Sequence, residues 1–411
     1  MAETASLHAG AGRARIVLPA EIFPVDGFAA ERDPLYARVV LLQHRGHRIA
    51  LAVLDQTSIA AASLAGVTRT LAHAAEVEPD QVLVCASHTF SAPHIGSTGD
   101  VLQRALEDAV EAAGRTAHRG LRPARLGWGT GTAGVNVNRD VWTPAGWWLG
   151  ADDAGASDKE LGILRIDDEP GHPIAVLLNY AVQPSVLNES VTADGWRLVS
   201  ADLAGAATAY VERAYGDDTV ALFLVGAAGD QAPYLTANRH VLDRGGAVHR
   251  ADLHEAGHVL VDLLGERLGC GALRVCEQVK CADDGPILRL VRDEVEVGAQ
   301  PLPPRESLHP QRTYDYRASG TTTAPLWAAR VGDLALAAVQ AELTCTTGRW
   351  IKDNSPFPAT FVLTMANGAA KYLADAGSYE RITYAAMNSR YAAGAAELVA
   401  ARLVETLRAL R

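Results

Sequence analysis

Six short apolar runs, each cut off by a polar or glycine-rich turn, constrain most strongly what this chain can fold into. Ile49–Leu54 meets Asp55, and Val82–Ala86 meets Ser87-His88-Thr89-Phe90-Ser91-Ala92-Pro93-His94. Ile174–Val182 meets Gln183-Pro184, and Val220–Val225 meets Gly226-Ala227-Ala228-Gly229-Asp230-Gln231. Leu334–Val339 leads toward Glu342, and Thr360–Met365 leads into Asn367-Gly368. Apolar runs of this length between turn formers read as buried strands. Helical periodicity fills the intervals over Ser63–Glu76, Asp100–Ala113, Asp202–Tyr215, Asp252–Leu268 and Asn388–Leu410. Asp100 is placed to cap its helix and Gly114 to stop it. Strands alternating with helices predict an α/β fold, a mixed sheet core flanked by helices. In such folds ligands gather beyond the carboxyl ends of parallel strands. Asp55, His88, Gln183, Asp230 and Glu342, all at or just past run ends, are therefore expected to converge if those strands are parallel neighbours.

Length and charge narrow the function. A chain of 411 residues accommodates one large domain or two. No internal repeat is visible, and the one proline-rich stretch, Gln300–Pro310, marks no clear boundary. The net charge of −11, the pI near 5.6 and the lack of a Lys/Arg run argue against nucleic acid or an acidic membrane surface as partner. No segment reaches the roughly 18 apolar residues that span a bilayer. Met1–Arg15 lacks the apolar stretch of a secretory signal. Cys85, Cys270, Cys276, Cys281 and Cys345 are odd in number and unsuited to a zinc knuckle, so reduced thiols and a cytoplasmic location are expected.

Six motifs, in order, resemble the neutral ceramidase family. Asp33-Pro34-Leu35-Tyr36-Ala37-Arg38 fits its start, and Ser87-His88-Thr89-Phe90-Ser91-Ala92-Pro93 resembles its His-Thr-His-Ser-Gly-Pro motif. Asn138-Arg139 resembles Asn-Arg-Ser-Pro, and Gly229-Asp230-Gln231-Ala232-Pro233 resembles Gly-Asp-Val-Ser-Pro. Glu342-Leu343-Thr344 with Gly348-Arg349 resembles Glu-Phe-Thr-Thr-x-x-Gly-Arg, and Asn367, Tyr372 and Tyr384 resemble the closing tyrosine-bearing segment. The resemblance implies a ceramidase-like catalytic domain over residues 14–411 behind an N-terminal tail, residues 1–13, without the family's immunoglobulin-like module.

It also implies a site chemistry: one zinc ion cleaving an N-acyl amide bond. By position, the zinc ligands would be His88, Gln183, Glu342 and Tyr372. Catalytic roles would fall to His88, Arg139, Asp230, Glu342 and Tyr384, with Arg139 and Tyr384 holding the scissile amide or its oxyanion. Three positions depart from the family: Gln183 replaces a ligand histidine, Phe90 a second histidine, and Ala232 the serine usually assigned as catalytic. An amide carbonyl is a weaker zinc ligand than imidazole, and alanine supplies neither nucleophile nor donor. His94 stands near enough in sequence to replace the lost base. Phe90, His94, Trp142, Trp147 and Trp148 are candidates for substrate contact, the tryptophans as a wall for an apolar or ring-bearing group.

A rival string, His254-Glu255-Ala256-Gly257-His258, has the His-Glu-x-x-His spacing that grips zinc from one helix face. It lacks a third histidine at protease spacing, so the expectation is that it holds no catalytic metal. Three function classes follow. The first is a metal-assisted hydrolase of an amide bond in a small, partly hydrophobic molecule other than ceramide. The second is a metal-free cyclase, isomerase or amide-forming enzyme using acid/base residues on the same scaffold. The third is a non-catalytic binding protein. All three take a small-molecule partner.

Overall fold

The computed structural model describes residues 6–216, 218–242, 248–283 and 285–411. All six apolar runs form strands, two of them (174–182 and 360–365) running two residues past the strand end, and the reason they lack alternation is visible in their packing. Val40 and Leu42 face one way into an inter-sheet core, while Val39 and Leu41 face the other way onto helices. A strand covered on both faces has no polar side to display.

The larger sheet has eight strands, in the order Val220–Val225, Pro173–Tyr180, Glu160–Asp168, Arg122–Thr132, His8–Ile16, Leu35–His44, His47–Leu54, Val82–Ala86. Its middle is a seam. His8–Ile16 pairs with Leu35–His44 over nine residue pairs, but with the Arg122–Thr132 strand only through His8↔Pro123 and Ala9↔Arg122. A second sheet of four strands runs Leu288–Gly298, Thr321–Val331, Leu334–Val339, Ala359–Leu363. The two sheets share one core, in which Leu51, Leu83, Leu164 and Leu177 meet Leu290, Trp327, Leu336 and Phe361. Helices cover the outer faces. Ala61–Ala75 and Asp100–Arg119 lie on one half of the large sheet, Asp202–Tyr215 and His258–Cys276 on the other. Cys345–Asn354 and Ala395–Ala409 cover the small sheet. The architecture is mixed α/β, with two sheets between helical layers.

Several expected boundaries are corrected. Residues 8–13, expected as part of a tail, belong to the strand His8–Ile16, and Leu7 and Ala9 are core. The second helix runs through Gly114 to Arg119 because that glycine lies against Leu71 and Ala74; a Cβ there would meet Leu71 Cδ1 at 2.9 Å. Asp100 is the first residue of that helix and makes no cap bond. The helix expected from Asp252 starts at His258, since Val248–Asp252 is a strand. The last helix starts at Ala395, after Gly394 in the left-handed region at φ 88°.

Three parallel pairings decide where the site lies. Pro173–Tyr180 is parallel to Val220–Val225, His47–Leu54 to Val82–Ala86, and Leu334–Val339 to Ala359–Leu363. The segments that carry Thr57, His88, Gln183, Asp230 and Glu342 all leave the carboxyl ends of these strands. Among the described residues, no helix is long and apolar enough to cross a membrane.

Candidate active site

Each polar group at these ends is placed by backbone bonds before its side chain acts. Ser87 N–H donates to the Leu54 carbonyl at 2.8 Å, and His88 follows with φ at 64°, a left-handed value for a non-glycine residue. Such a conformation costs about 1–3 kcal/mol and clusters at functional sites. Gln183 N–H donates to the Gln231 carbonyl at 3.3 Å, and Arg139 N–H to the Asp230 carbonyl at 2.9 Å. Glu342 N–H donates to the Lys371 carbonyl at 2.8 Å, and Glu342 sits in parallel register with Tyr372.

The side chains form one buried chain of contacts. His88 Nδ1 donates to the Thr57 carbonyl at 2.5 Å, which turns Nε2 toward Glu342. That Nε2 lies 3.2 Å from Glu342 Oε2 and makes no aligned hydrogen bond. Gln183 Nε2 donates to the same Glu342 oxygen. Arg139 Nη1 donates to Gln183 Oε1 at 2.8 Å. The Arg139 guanidinium lies 5.1 Å from the Tyr372 ring centre and 5.6 Å from that of Tyr384, a cation–π arrangement. Its Nε and Nη2 are buried with no hydrogen-bond partner among the described residues. His88, Gln183, Glu342, Tyr372 and Arg139 are all 7% exposed or less, so these contacts act in a low dielectric.

Burial alone would raise the Glu342 carboxyl, but His88, Arg139 and the Gln183 amide outweigh it and hold it below the usual glutamate value. Glu342 is therefore ionised at neutral pH. Burial drives the Tyr372 phenol well above the ordinary tyrosine range, and Arg139 offsets this only in part. Tyr372 is a neutral phenol.

Phe90 lies edge-on to His88, with ring centres 4.8 Å apart, and is half-buried. Trp148 packs on Tyr384 at 5.5 Å, and Tyr384 on Tyr372 at 5.8 Å. Asn388 Nδ2 donates to the Tyr384 hydroxyl oxygen at 3.2 Å, leaving the hydroxyl proton to donate elsewhere. The other two tryptophans differ. Trp142 and Trp147 are a cross-strand pair, stacked under Arg312 and Arg381 respectively, and make no ring contact with Tyr372 or Tyr384. His94 is exposed and tied to Asp26, its Nδ1 2.6 Å from Asp26 Oδ2, which leaves the role of a replacement base at His88 unsupported.

Asp230 is close in space but turned away. Its carboxylate accepts from Cys345 N at 2.8 Å, Gln231 Nε2 at 3.1 Å and Asn138 Nδ2 at 3.3 Å. It joins the strand bearing Arg139 to the start of the helix after Glu342, a positioning role. Burial outweighs these donors, with the nearby Asp140 carboxylate adding to it, and the carboxyl is pushed up to about 6. Asp55 also turns away, to Arg38 Nη1 at 3.0 Å and Tyr36 N at 2.8 Å.

Sequence reasoning missed Thr57, whose carbonyl fixes the His88 tautomer, and Asp140, buried beside Arg139 with Oδ2 3.8 Å from Arg381. Thr57 follows an apolar run as His88 does, a usable signal; Asp140 carried none. The His-Glu-x-x-His string straddles a 3-10 turn, His254–Gly257, and the helix starting at His258, so the two imidazoles do not share one helix face. His254 Nδ1 donates to the Val191 carbonyl at 2.8 Å, and Glu255 accepts from Ala193 N–H at 2.8 Å.

The zinc implied by the resemblance needs ligands with lone pairs turned inward. His88 Nε2 and Glu342 Oε2 supply two. Gln183 does not supply a third. Arginine only donates and an ionised carboxylate only accepts, so between Arg139 and Glu342 the amide can lie one way alone. Its carbonyl oxygen, the sole metal-binding atom it has, is turned to the guanidinium. With the Gln183 carbonyl turned away, the donor set does not fit a four-ligand zinc.

No protein-family model matches the chain, and no curated protein matches it. Solved structures do. A structure described as ceramidase complexed with C2 superposes with a TM-score of 0.78 at 17% identity, over 99% of this chain and 75% of that one. Neutral ceramidase from Pseudomonas aeruginosa gives 0.76 at 18% identity, over 98% and 74%. The chain has the ceramidase fold over nearly its whole length.

Proposed function

We propose that this chain is an enzyme that hydrolyses the C–N amide bond of a small, partly apolar molecule by acid–base chemistry. The observation that carries the reading is the buried chain Thr57–His88–Glu342–Gln183–Arg139, which ends in two unpartnered guanidinium N–H groups. The ceramidase fold adds a scaffold whose named members act on an amide; at this identity it supplies the scaffold only.

Each group has work suited to its state. The Nε/Nη2 edge of Arg139 and the Tyr384 hydroxyl donate to the substrate carbonyl oxygen, where negative charge grows in the transition state. Donors fixed in advance at such a point are the largest usual contribution to acyl transfer. His88 Nε2, oriented by the Thr57 carbonyl, takes the proton of the attacking water as its oxygen bonds to the carbonyl carbon. The ionised Glu342 beside it stabilises the imidazolium that forms. The C–N bond then breaks as His88 returns the proton to the leaving nitrogen, giving carboxylic acid and amine. Phe90 and Trp148 supply apolar contact for the substrate.

A second reading, that the same groups form the bond, draws on one observation: His88 and Glu342 are 2% and 6% exposed, leaving bulk water little access. Product analysis separates the two. The test is a panel of N-acyl amines and N-acyl amino acids assayed for released amine, with His88→Ala and Glu342→Gln as variants. Each should lose at least about a hundredfold in turnover, the scale of removing a general acid or base, while the fold, checked by circular dichroism, is kept. Turnover near wild type in both variants places the chemistry elsewhere.

A further inference from the structure

We infer that Gln183 is a positioning residue that closes this site to metal, holding Arg139 and Glu342 together through hydrogen bonds where a bound ion would otherwise join its ligands. The inference rests on the acid–base reading above for its catalytic meaning, and on geometry alone for its structural content.

Valence fixes which way the Gln183 amide lies. Glu342 Oε2 faces two nitrogens, His88 Nε2 and Gln183 Nε2. A cation coordinated by Glu342 and His88 would lie beside the Gln183 amide hydrogens, which carry positive charge and offer no lone pair. Turning the amide over would set its NH2 group against Arg139 Nη1 and its oxygen against the Glu342 carboxylate, breaking two buried, charge-assisted hydrogen bonds at once. Both partners are almost wholly buried, so water does not replace what is lost. The Arg139 guanidinium adds a fixed positive charge next to the same amide, which opposes a second cation. Gln183 also directs Arg139. With Nη1 committed to Oε1, the Nε/Nη2 edge is the one left bare, and this is the edge that makes two parallel hydrogen bonds to an oxygen pair.

Zinc counting after chelation and dialysis, with zinc then added back, tests this without any substrate. Wild type should hold no zinc that depends on His88 or Glu342. Gln183→His, which puts a neutral imidazole lone pair in the same place, should take up one zinc per chain and bind it at least about a hundredfold more tightly than wild type. Gln183→Glu should also gain divalent-cation affinity, because two facing carboxylates need a cation between them; it serves if the histidine variant does not fold. Glu342→Gln placed in the Gln183→His background should abolish the gain. A purely structural role for Gln183 would produce loss of stability without zinc uptake, and that result overturns the inference. So does wild-type protein that retains one zinc per chain and loses it in His88→Ala and Glu342→Gln. If neither position-183 variant folds, the wild-type count alone decides. Failure of wild type on every amide, with the zinc counts as expected, would retire the functional reading and leave the clamp standing.

Discussion

Replacing Asp230 by asparagine should change how stability depends on pH more than it changes stability at any one pH. The Asp230 carboxyl is wholly buried, and its pKa is raised from the ordinary 3.8 to about 6. The native state therefore holds this proton more tightly than the unfolded chain does. Stability from this group is complete below about pH 4 and is lost as pH rises through about 6. A difference of about two pKa units corresponds to about 3 kcal/mol. Asparagine cannot ionise, so stability of Asp230→Asn relative to wild type should rise by about 2–2.5 kcal/mol between pH 4 and pH 7. The variant still accepts from Cys345 N–H, but its amide NH2 faces Asn138 Nδ2 in place of an acceptor. That lost bond imposes a pH-independent offset of about 1–2 kcal/mol. The slope, not the intercept, carries the test. Urea unfolding at half-unit intervals from pH 4 to 7.5 measures it; taking the difference from wild type removes the contribution of Asp202, which burial also raises, and making the comparison in an Asp140→Asn background removes that of the coupled Asp140. Parallel curves for the two proteins would refute the reasoning, and would mean that the three donors hold Asp230 ionised at little cost.

Two further outcomes follow from named contacts. Arg139→Lys keeps the charge but loses the forked edge, so turnover on any accepted amide should fall about a hundredfold or more, as when an oxyanion donor is removed; wild-type turnover would show that the bare edge is not used. Gly12→Ala would set a Cβ 2.2 Å from the Ala113 carbonyl oxygen in the helix Asp100–Arg119, and the forced shift of helix against strand should cost about 1–3 kcal/mol in chemical denaturation. An unchanged midpoint would show that the helix moves freely.

What the sequence made legible was where strands end, because burial on both faces leaves an uninterrupted apolar run and a turn must follow it. His88, Gln183 and Glu342 follow such runs, so these three stand out in the linear sequence itself. Strands such as Arg122–Thr132 and Leu288–Gly298, with Arg, Gly or Glu at many positions, have no comparable run, so part of the large sheet and the Leu288–Gly298 edge of the second went unread. Direction was the other loss. Asp55 and Asp230 also follow apolar runs, yet one turns to Arg38 and the other to Cys345 N–H, and nothing in a linear pattern records which way a side chain turns at a strand end. Gly114 misled for a related reason: a glycine that permits close packing and a glycine that stops a helix are the same letter.

The seam in the large sheet sets an order of assembly. The strands His8–Ile16, Leu35–His44, His47–Leu54 and Val82–Ala86 pair with one another in an unbroken series. With the helix ending at Arg119, they can build their half while the chain is still being made. The other half waits for strands up to Val225, and joins the first within this sheet through only two residue pairs. The groups proposed as the active site come from 57, 88, 139, 183, 342, 372 and 384, so they straddle that join and the second sheet. A ribosome must therefore pass Tyr384 before any molecule can assemble that site. Contacts so distant in sequence also slow the final docking step, which makes gain of activity during refolding a clock for the closing of the seam rather than for the folding of either half.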